Sequence, residues 1–150
     1  MTAVLDRSVE PVAVANRLRP VLLQLNRHLR REVHPLGVTG GQVSLLVAIK
    51  RAPGIGVREL AALEGISPAG MSGHVDRLEN AALVERRPDS GGDRRRVGLH
   101  VTPEGERVLR LVRSRRTAWL AARLRRLDAE QLARLDEAIE PLAALLEVDA

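Results

Sequence analysis

Apolar residues in the middle of the chain recur at helical spacing, and the recurrence breaks once, at Gly65-Ile66-Ser67. Leu60, Ala61, Leu63, Ile66, Met71, Val75, Leu78 and Leu83 carry the pattern. Ser67 offers a side-chain oxygen for capping a new helix, and Pro68 suits its first turn, where no internal N–H bond is lost. The spacing predicts a helix over about 57–64 and a second over 68–81, with Leu60 and Leu63 packed under the second. Two helices joined by so tight a turn can place the second in a DNA major groove. Beyond them Leu83 to Arg87 reads as a strand, and Val97, Leu99 and Val101 alternate on a returning partner. The connection Pro88-Asp89-Ser90-Gly91-Gly92-Asp93 would hold Arg94, Arg95 and Arg96 at the tip or ascending edge of a hairpin.

The flanks are helical as well. A first helix is expected over about 14–33, with Leu18, Val21, Leu22, Leu25, Leu29 and Val33 as its stripe. Pro20 is expected to kink it or to move its start to about residue 19. Thr39 caps a second helix to about Arg51, whose core candidates are Val43, Leu45, Leu46, Val47 and Ile49. Thr102 and Pro103 open a long helix to about Leu127, with Glu104 and Glu106 near its positive end. Its packing candidates are Val108, Leu109, Leu111, Val112, Trp119, Leu120 and Leu124. Asp128 caps a last helix carrying Leu132, Leu135, Ile139, Leu142, Leu145 and Leu146, which Pro141 should bend.

The expected fold is therefore mainly α with a small β-hairpin, in a single domain of 150 residues. A winged helix-turn-helix lobe over 39–102 would sit between long helices at 14–36 and 103–147 that serve dimerisation. Surplus apolar surface on the terminal helices favours a homodimer, although closure of a monomeric bundle gives the same periodicity. Charge adds to this picture: Arg110 to Arg126 holds seven arginines and no acid, whereas residues 128–150 hold seven acids and Arg134 alone. Helices of opposite sign can bridge within a subunit or across a two-fold interface.

Composition narrows the class of partner. The formal charge is +5, and Lys50 is the only lysine, so the positive charge is arginine, whose planar fork suits phosphate or guanine. Trp119 is the only aromatic residue, which removes the stacking platforms of single-strand recognition and favours duplex DNA. The absence of cysteine excludes disulfides, thiolate metal sites and cysteine redox sensing within these residues. The stretch MTAVLDRSVEPVAV lacks the apolar core of a signal peptide and no window approaches a membrane span. A cytoplasmic protein without a membrane partner is the expectation.

Candidate chemistry lies on the 68–81 helix and the hairpin. Ala69, Gly70, Ser72 and Gly73 permit close backbone approach to DNA, and Ser67, Ser72, His74 and Arg77 add donors and acceptors. Two glycines inside a helix cost roughly 1 kcal/mol each, which is the drawback of such a surface. Arg94, Arg95 and Arg96 suit the negative potential of a narrow minor groove, with Asp93 available to pair with one of them. Ser67, Ser72, His74 and Asp76 are catalytic residue types, but their spacing shows no nucleophile–base–orienter order, so no enzyme is expected. His28 and His34 have no spaced partner cluster for a metal, and no cofactor is expected.

The stretch ELAALEGISPAGMSGHVDRLENAALVERR, followed by DRRRVGLHVTPEG, resembles the MarR family of bacterial winged helix-turn-helix regulators, and the likeness extends over nearly the whole chain. The resemblance implies a homodimer in which the first and last two helices interlock. Each subunit would present Ser67 to Arg77 to the major groove of half a pseudopalindromic operator. Asp93, Arg94 and Arg95 match the family's wing motif, with the acid holding the wing and an arginine approaching the minor groove. The implied role is repression, relieved by a small aromatic or phenolic ligand held between the dimerisation helices and the winged lobe. A winged-helix interaction module that has lost DNA recognition is the alternative. Three departures stand out: Gly73 where many relatives carry a larger polar or basic residue, Ala82 in place of a glycine, and a wing one residue longer. Ala82 suggests a different helix exit.

Overall fold

The computed structural model describes residues 9–88 and 96–147. Its elements run α1 (Pro11–Arg31), a 3-10 turn (His34–Leu36), α2 (Gly40–Arg51), α3 (Val57–Glu64), α4 (Pro68–Asn80), β1 (Val84–Pro88), β2 (Val97–Val101), α5 (Pro103–Leu124) and α6 (Ala129–Ala144). Side chains set most of the helix starts. Thr39, Ser67, Thr102 and Asp128 each accept a backbone N–H three residues on, as their sequence positions predict. Gln42 and Gln131 complete reciprocal capping boxes with Thr39 and Asp128.

The first helix departs from expectation. It begins at Pro11, because the Glu10 carboxylate accepts the N–H groups of Val12 and Ala13. Helical structure continues through Pro20, so the start does not move toward residue 19. One missing N–H on an exposed helix removes a single bond, which twenty other residues of α1 outweigh.

The core gathers around α2, α3, α4, the hairpin and the first half of α5. Leu46, Ile49, Leu60, Met71, Leu78 and Leu99 are its largest fully buried side chains, and Val108, Leu109 and Val112 join them from α5. Two sequence expectations fail at its edge. Leu63 is 69% exposed, because α3 turns Leu60 and Ala61 inward and the position three residues after Leu60 falls on the outer flank. Val97 is also largely exposed, since it pairs with Pro88 at the outer end of the ladder, beyond the reach of the core. Leu99 points inward two residues later.

β1 and β2 pair antiparallel from Val84 opposite Val101 to Pro88 opposite Val97. A short bridge between Ile55 and Leu99 fastens the hairpin to the α2–α3 connection, with Leu99 N–H donating to Ile55 O at 2.9 Å. Glycine is required at Gly98, where an added Cβ would lie 2.7 Å from the Gly54 carbonyl oxygen.

Helices α1 and α6 contain no buried residue. The C-terminal half of α5 carries α1 through specific contacts instead of a core. Arg115 Nε donates to the Glu32 carbonyl at 2.8 Å and Arg116 Nε to the Leu29 carbonyl at 3.1 Å. Trp119 stacks on His28 with ring centroids 5.4 Å apart, and the Arg123 guanidinium lies 3.6 Å from the Trp119 ring centroid. Leu111 and Leu120, expected to pack, remain exposed on one chain.

Candidate nucleic-acid interface

The candidate reading helix, α4, is built on Met71, Val75 and Leu78, whose four- and three-residue spacing makes one buried stripe. The preceding turn sets its angle. Gly65 ends α3 in the left-handed region at φ 64°, and Ile66 N–H returns to the Ala61 carbonyl at 3.0 Å. With the stripe fixed inward, Ala69, Gly70 and Arg77 are exposed and Ser72, Gly73 and His74 are half-buried. Ser67 has a structural role as well. Its Oγ accepts the Gly70 N–H at 3.1 Å, leaving the hydroxyl proton for an outside partner.

The two glycines differ. A Cβ at Gly70 would meet Ser67 Oγ at 3.1 Å and Ile66 Cγ2 at 3.3 Å, so the turn packs closely there. At Gly73 the nearest atom to an added Cβ is Arg77 Nη2 at 3.9 Å, so this position is open. The Gly73 surface is shallow because the residue is small, and no neighbour fills the space.

Helix α4 leaves through a left-handed residue. Ala82 has φ 60° and is the only non-glycine with positive φ among the described residues. Ala82 N–H donates to Glu79 O at 2.9 Å and Leu83 N–H to Leu78 O at 3.0 Å, the paired bonds of a Schellman end. The different exit expected from Ala82 does not occur. Alanine takes the glycine conformation, held by those two bonds and by burial of both Leu78 and Leu83.

Ion pairs set the root of the hairpin. Arg86 on β1 donates to Asp76 at 2.6 Å and lies 3.3 Å from Glu79, both acids of α4. Arg96 donates to Glu59 of α3 at 2.5 Å, so this arginine braces the base of β2 in the unbound chain. Arg87 pairs with Glu85 on its own strand. Asp93, Arg94 and Arg95 lie outside the described residues. The pairing of Asp76 with Arg86, and of Ser67 with Gly70, takes two of the catalytic residue types into structural bonds.

Sequence reasoning misses the cleft beside α4. Its volume is about 470 Å³, and Arg30 of α1, with Gln42 and Ser44 of α2, faces His74 and Arg77 across it. No motif marks Arg30, which reaches the site only because α1 folds back against the start of α2. A further cleft of about 560 Å³ separates α2 from α5, with Val43, Val47, Leu109 and Val112 on its floor. Lys50, Arg51, Arg113 and Arg116 stand around it. Burial first, and the neighbouring charge of Arg30 second, push the Arg116 guanidinium below its ordinary value. Among the described residues, no three His, Asp or Glu side chains converge as a metal site, and no helix is long and apolar enough to cross a membrane.

Comparison with known proteins agrees with this architecture. The MarR family model matches residues 36–96, from the 3-10 turn to Arg96. The chain is 26% identical over 132 residues to the HTH-type transcriptional repressor MdtR of Bacillus subtilis (strain 168), covering 88% of this chain and 84% of that protein. Among solved structures, a protein from Pseudomonas aeruginosa PA01 assigned as a transcriptional regulator superposes with a TM-score of 0.76 at 30% identity. That match covers 93% of this chain and 96% of the other. Transcriptional regulator Tm0710 from Thermotoga maritima also gives 0.76, at 26% identity over 90% of this chain and 94% of its own.

Proposed function

The chain belongs to the MarR family of DNA-binding transcriptional regulators, and from that premise we propose that it is a homodimeric repressor released from DNA by a small ligand. The observation that carries the DNA contact is the outer surface of α4, where Ala69, Gly70, Ser72 and Gly73 expose backbone beside Arg77. Such a surface can enter a major groove without steric conflict. In this reading Ser67, Ala69, Gly70, Ser72, Gly73, His74 and Arg77 face the groove, and the wing arginines Arg94, Arg95 and Arg96 reach toward the minor groove. Engagement by Arg96 requires it to leave or share Glu59.

Dimerisation is supported by α1 and α6, which leave Val21, Leu22, Leu25, Leu132, Leu135 and Ile139 in solvent on a single chain. A second copy of the same helices is the natural cover, and it would set two winged lobes on a two-fold axis. The division into a winged lobe at 39–102 and dimerisation helices at 14–36 and 103–147 follows from the same reading.

The α2–α5 cleft supports the ligand. An apolar floor ringed by four cations suits a small aromatic or phenolic anion, held where it can move α5 relative to the winged lobe.

Titration with duplex from the protein's own upstream region tests the function. Binding should be sequence-selective and weaken steeply with salt. Arg94→Ala or Arg95→Ala should weaken it while the fold persists. Absence of binding to any selected duplex at low salt would leave the winged-helix interaction module as the better reading.

A further inference from the structure

Arginines crowd the side of the molecule next to α4, away from the wing. A cleft of about 490 Å³ runs between α1 and the start of α2, where Arg27, Arg30, Arg31 and His34 face Thr39 and Gly40. Arg30 forms the wall shared with the cleft beneath His74 and Arg77, so the two are continuous. Among the described residues, Arg27, Arg30, Arg31 and Arg77 make no ion pair, although seven other cationic side chains on this chain do so.

The geometry holds Arg30 in place. Gly40 lies directly beneath it: a Cβ added there would stand 3.0 Å from both Cβ and Cγ of Arg30. The guanidinium consequently projects over Gly41, where an added Cβ would lie 3.9 Å from Arg30 Nη2. Glu64 is the single acid lining either cleft, against four arginines and two histidines. Unneutralised positive charge at this density is costly unless an anion completes it. The field is also felt across the cleft, since Arg30 disfavours the charged form of Arg116.

We propose that Arg27, Arg30 and Arg31, continuous with Arg77, form a track for the DNA phosphate backbone that extends the interface from the reading helix onto α1. The inference rests on the duplex-binding function above and adds a second surface to it. DNA is the partner because the track begins on α4 itself: a duplex seated on Ala69 to Gly73 carries a backbone strand past Arg77. The contact is to phosphate, so it contributes affinity and register and does not read base identity.

The test is a set of chloride-salt titrations on full-length protein with a selected operator and an unrelated duplex. Each phosphate released changes the slope of log K against log salt by about 0.9. Arg30→Ala and Arg27→Ala should each flatten the slope by about that amount on both duplexes, and Arg30→Lys should keep most of the wild-type slope. Arg134→Ala, which removes an equal charge from its pair with Glu130 on α6, should leave the slope unchanged. Circular dichroism guards against misfolding of Arg30→Ala, and Arg27→Ala provides the independent readout. Wild-type slopes in both alanine variants overturn the track, as does a changed preference between operator and unrelated DNA. If inorganic phosphate binds and Arg30→Ala abolishes that binding without altering the duplex slope, the cleft is a small-anion site and the track is overturned. Failure of the wild type to bind any duplex removes the proposed function as well, which separates the two outcomes.

Discussion

Arg86 of β1 donates to Asp76 of α4 at 2.6 Å, and the same guanidinium lies 3.3 Å from Glu79. A wing-strand cation thus neutralises two acids on the reading helix and ties the hairpin root to it. Exposed pairs of this kind contribute about 0–1 kcal/mol, so their larger effect is on geometry and field. Arg86→Ala should lower stability by less than about 1 kcal/mol, yet weaken duplex binding by roughly tenfold as two carboxylates are released beside phosphate. Thermal melts alongside binding titrations separate the two effects, and equal loss in both would contradict this account.

Ala82 gives a change in the opposite direction. A left-handed L-residue costs about 1–2 kcal/mol, partly offset by the lower entropy of alanine in the unfolded chain. Ala82→Gly should therefore stabilise the protein by about 1 kcal/mol, raising Tm by roughly 3 °C. A fall in Tm would show that the φ of 60° carries no strain.

Gly98 is less tolerant. A methyl group there meets Gly54 backbone at 2.7 Å, and backbone cannot swing aside as a flexible side chain can. Gly98→Ala should cost about 1–3 kcal/mol and loosen the Ile55–Leu99 bridge. Hydrogen exchange at the Leu99 amide, which donates to Ile55, reports on the second effect.

Local chemistry separates what is legible in the sequence from what is not. Helix starts are legible because capping depends on residues at most three apart: Thr39, Ser67, Thr102 and Asp128 all behave as their positions imply. The α4 stripe is legible for the same reason of local period. Leu63 and Val97 are not, because an apolar residue at the edge of a small lobe is buried only if some element reaches over it. The cleft-lining arginines of α1 are hidden by distance along the chain, since Arg30 and Arg77 meet only across a fold. Ala82 misleads because residue type suggests a new exit, whereas two backbone bonds dictate the old one.

Trp119 offers a direct assay for the α2–α5 cleft. It is the only tryptophan, and Arg116, one helical turn earlier, lines the cleft. An aromatic carboxylate bound there should change Trp119 emission. Arg113→Ala should weaken that binding by about tenfold, the scale of one charge-assisted hydrogen bond. Emission that saturates identically in the variant would move the ligand elsewhere.

A pH effect is expected at the start of α5. The hydrogen bond from Arg107, aided by its charge and opposed by slight desolvation, holds the Glu104 carboxyl below the ordinary glutamate value. Its folded pKa is thus below its unfolded one. The resulting stabilisation is present above the unfolded value and is lost as pH falls through the folded one. A carbon-detected NMR titration should find the Glu104 midpoint moving upward in Arg107→Ala.

The exposed state of α1 and α6 has a kinetic side. Isolated helices of 21 and 16 residues are marginal in water, and neither buries a side chain within its own chain. Their persistence then depends on how often two chains meet, so dilution should erode helicity at both ends before it disturbs the winged lobe. Occupancy of DNA would accordingly rise faster than in proportion to the number of chains, giving the cell a threshold in copy number where a monomeric binder would give a graded response.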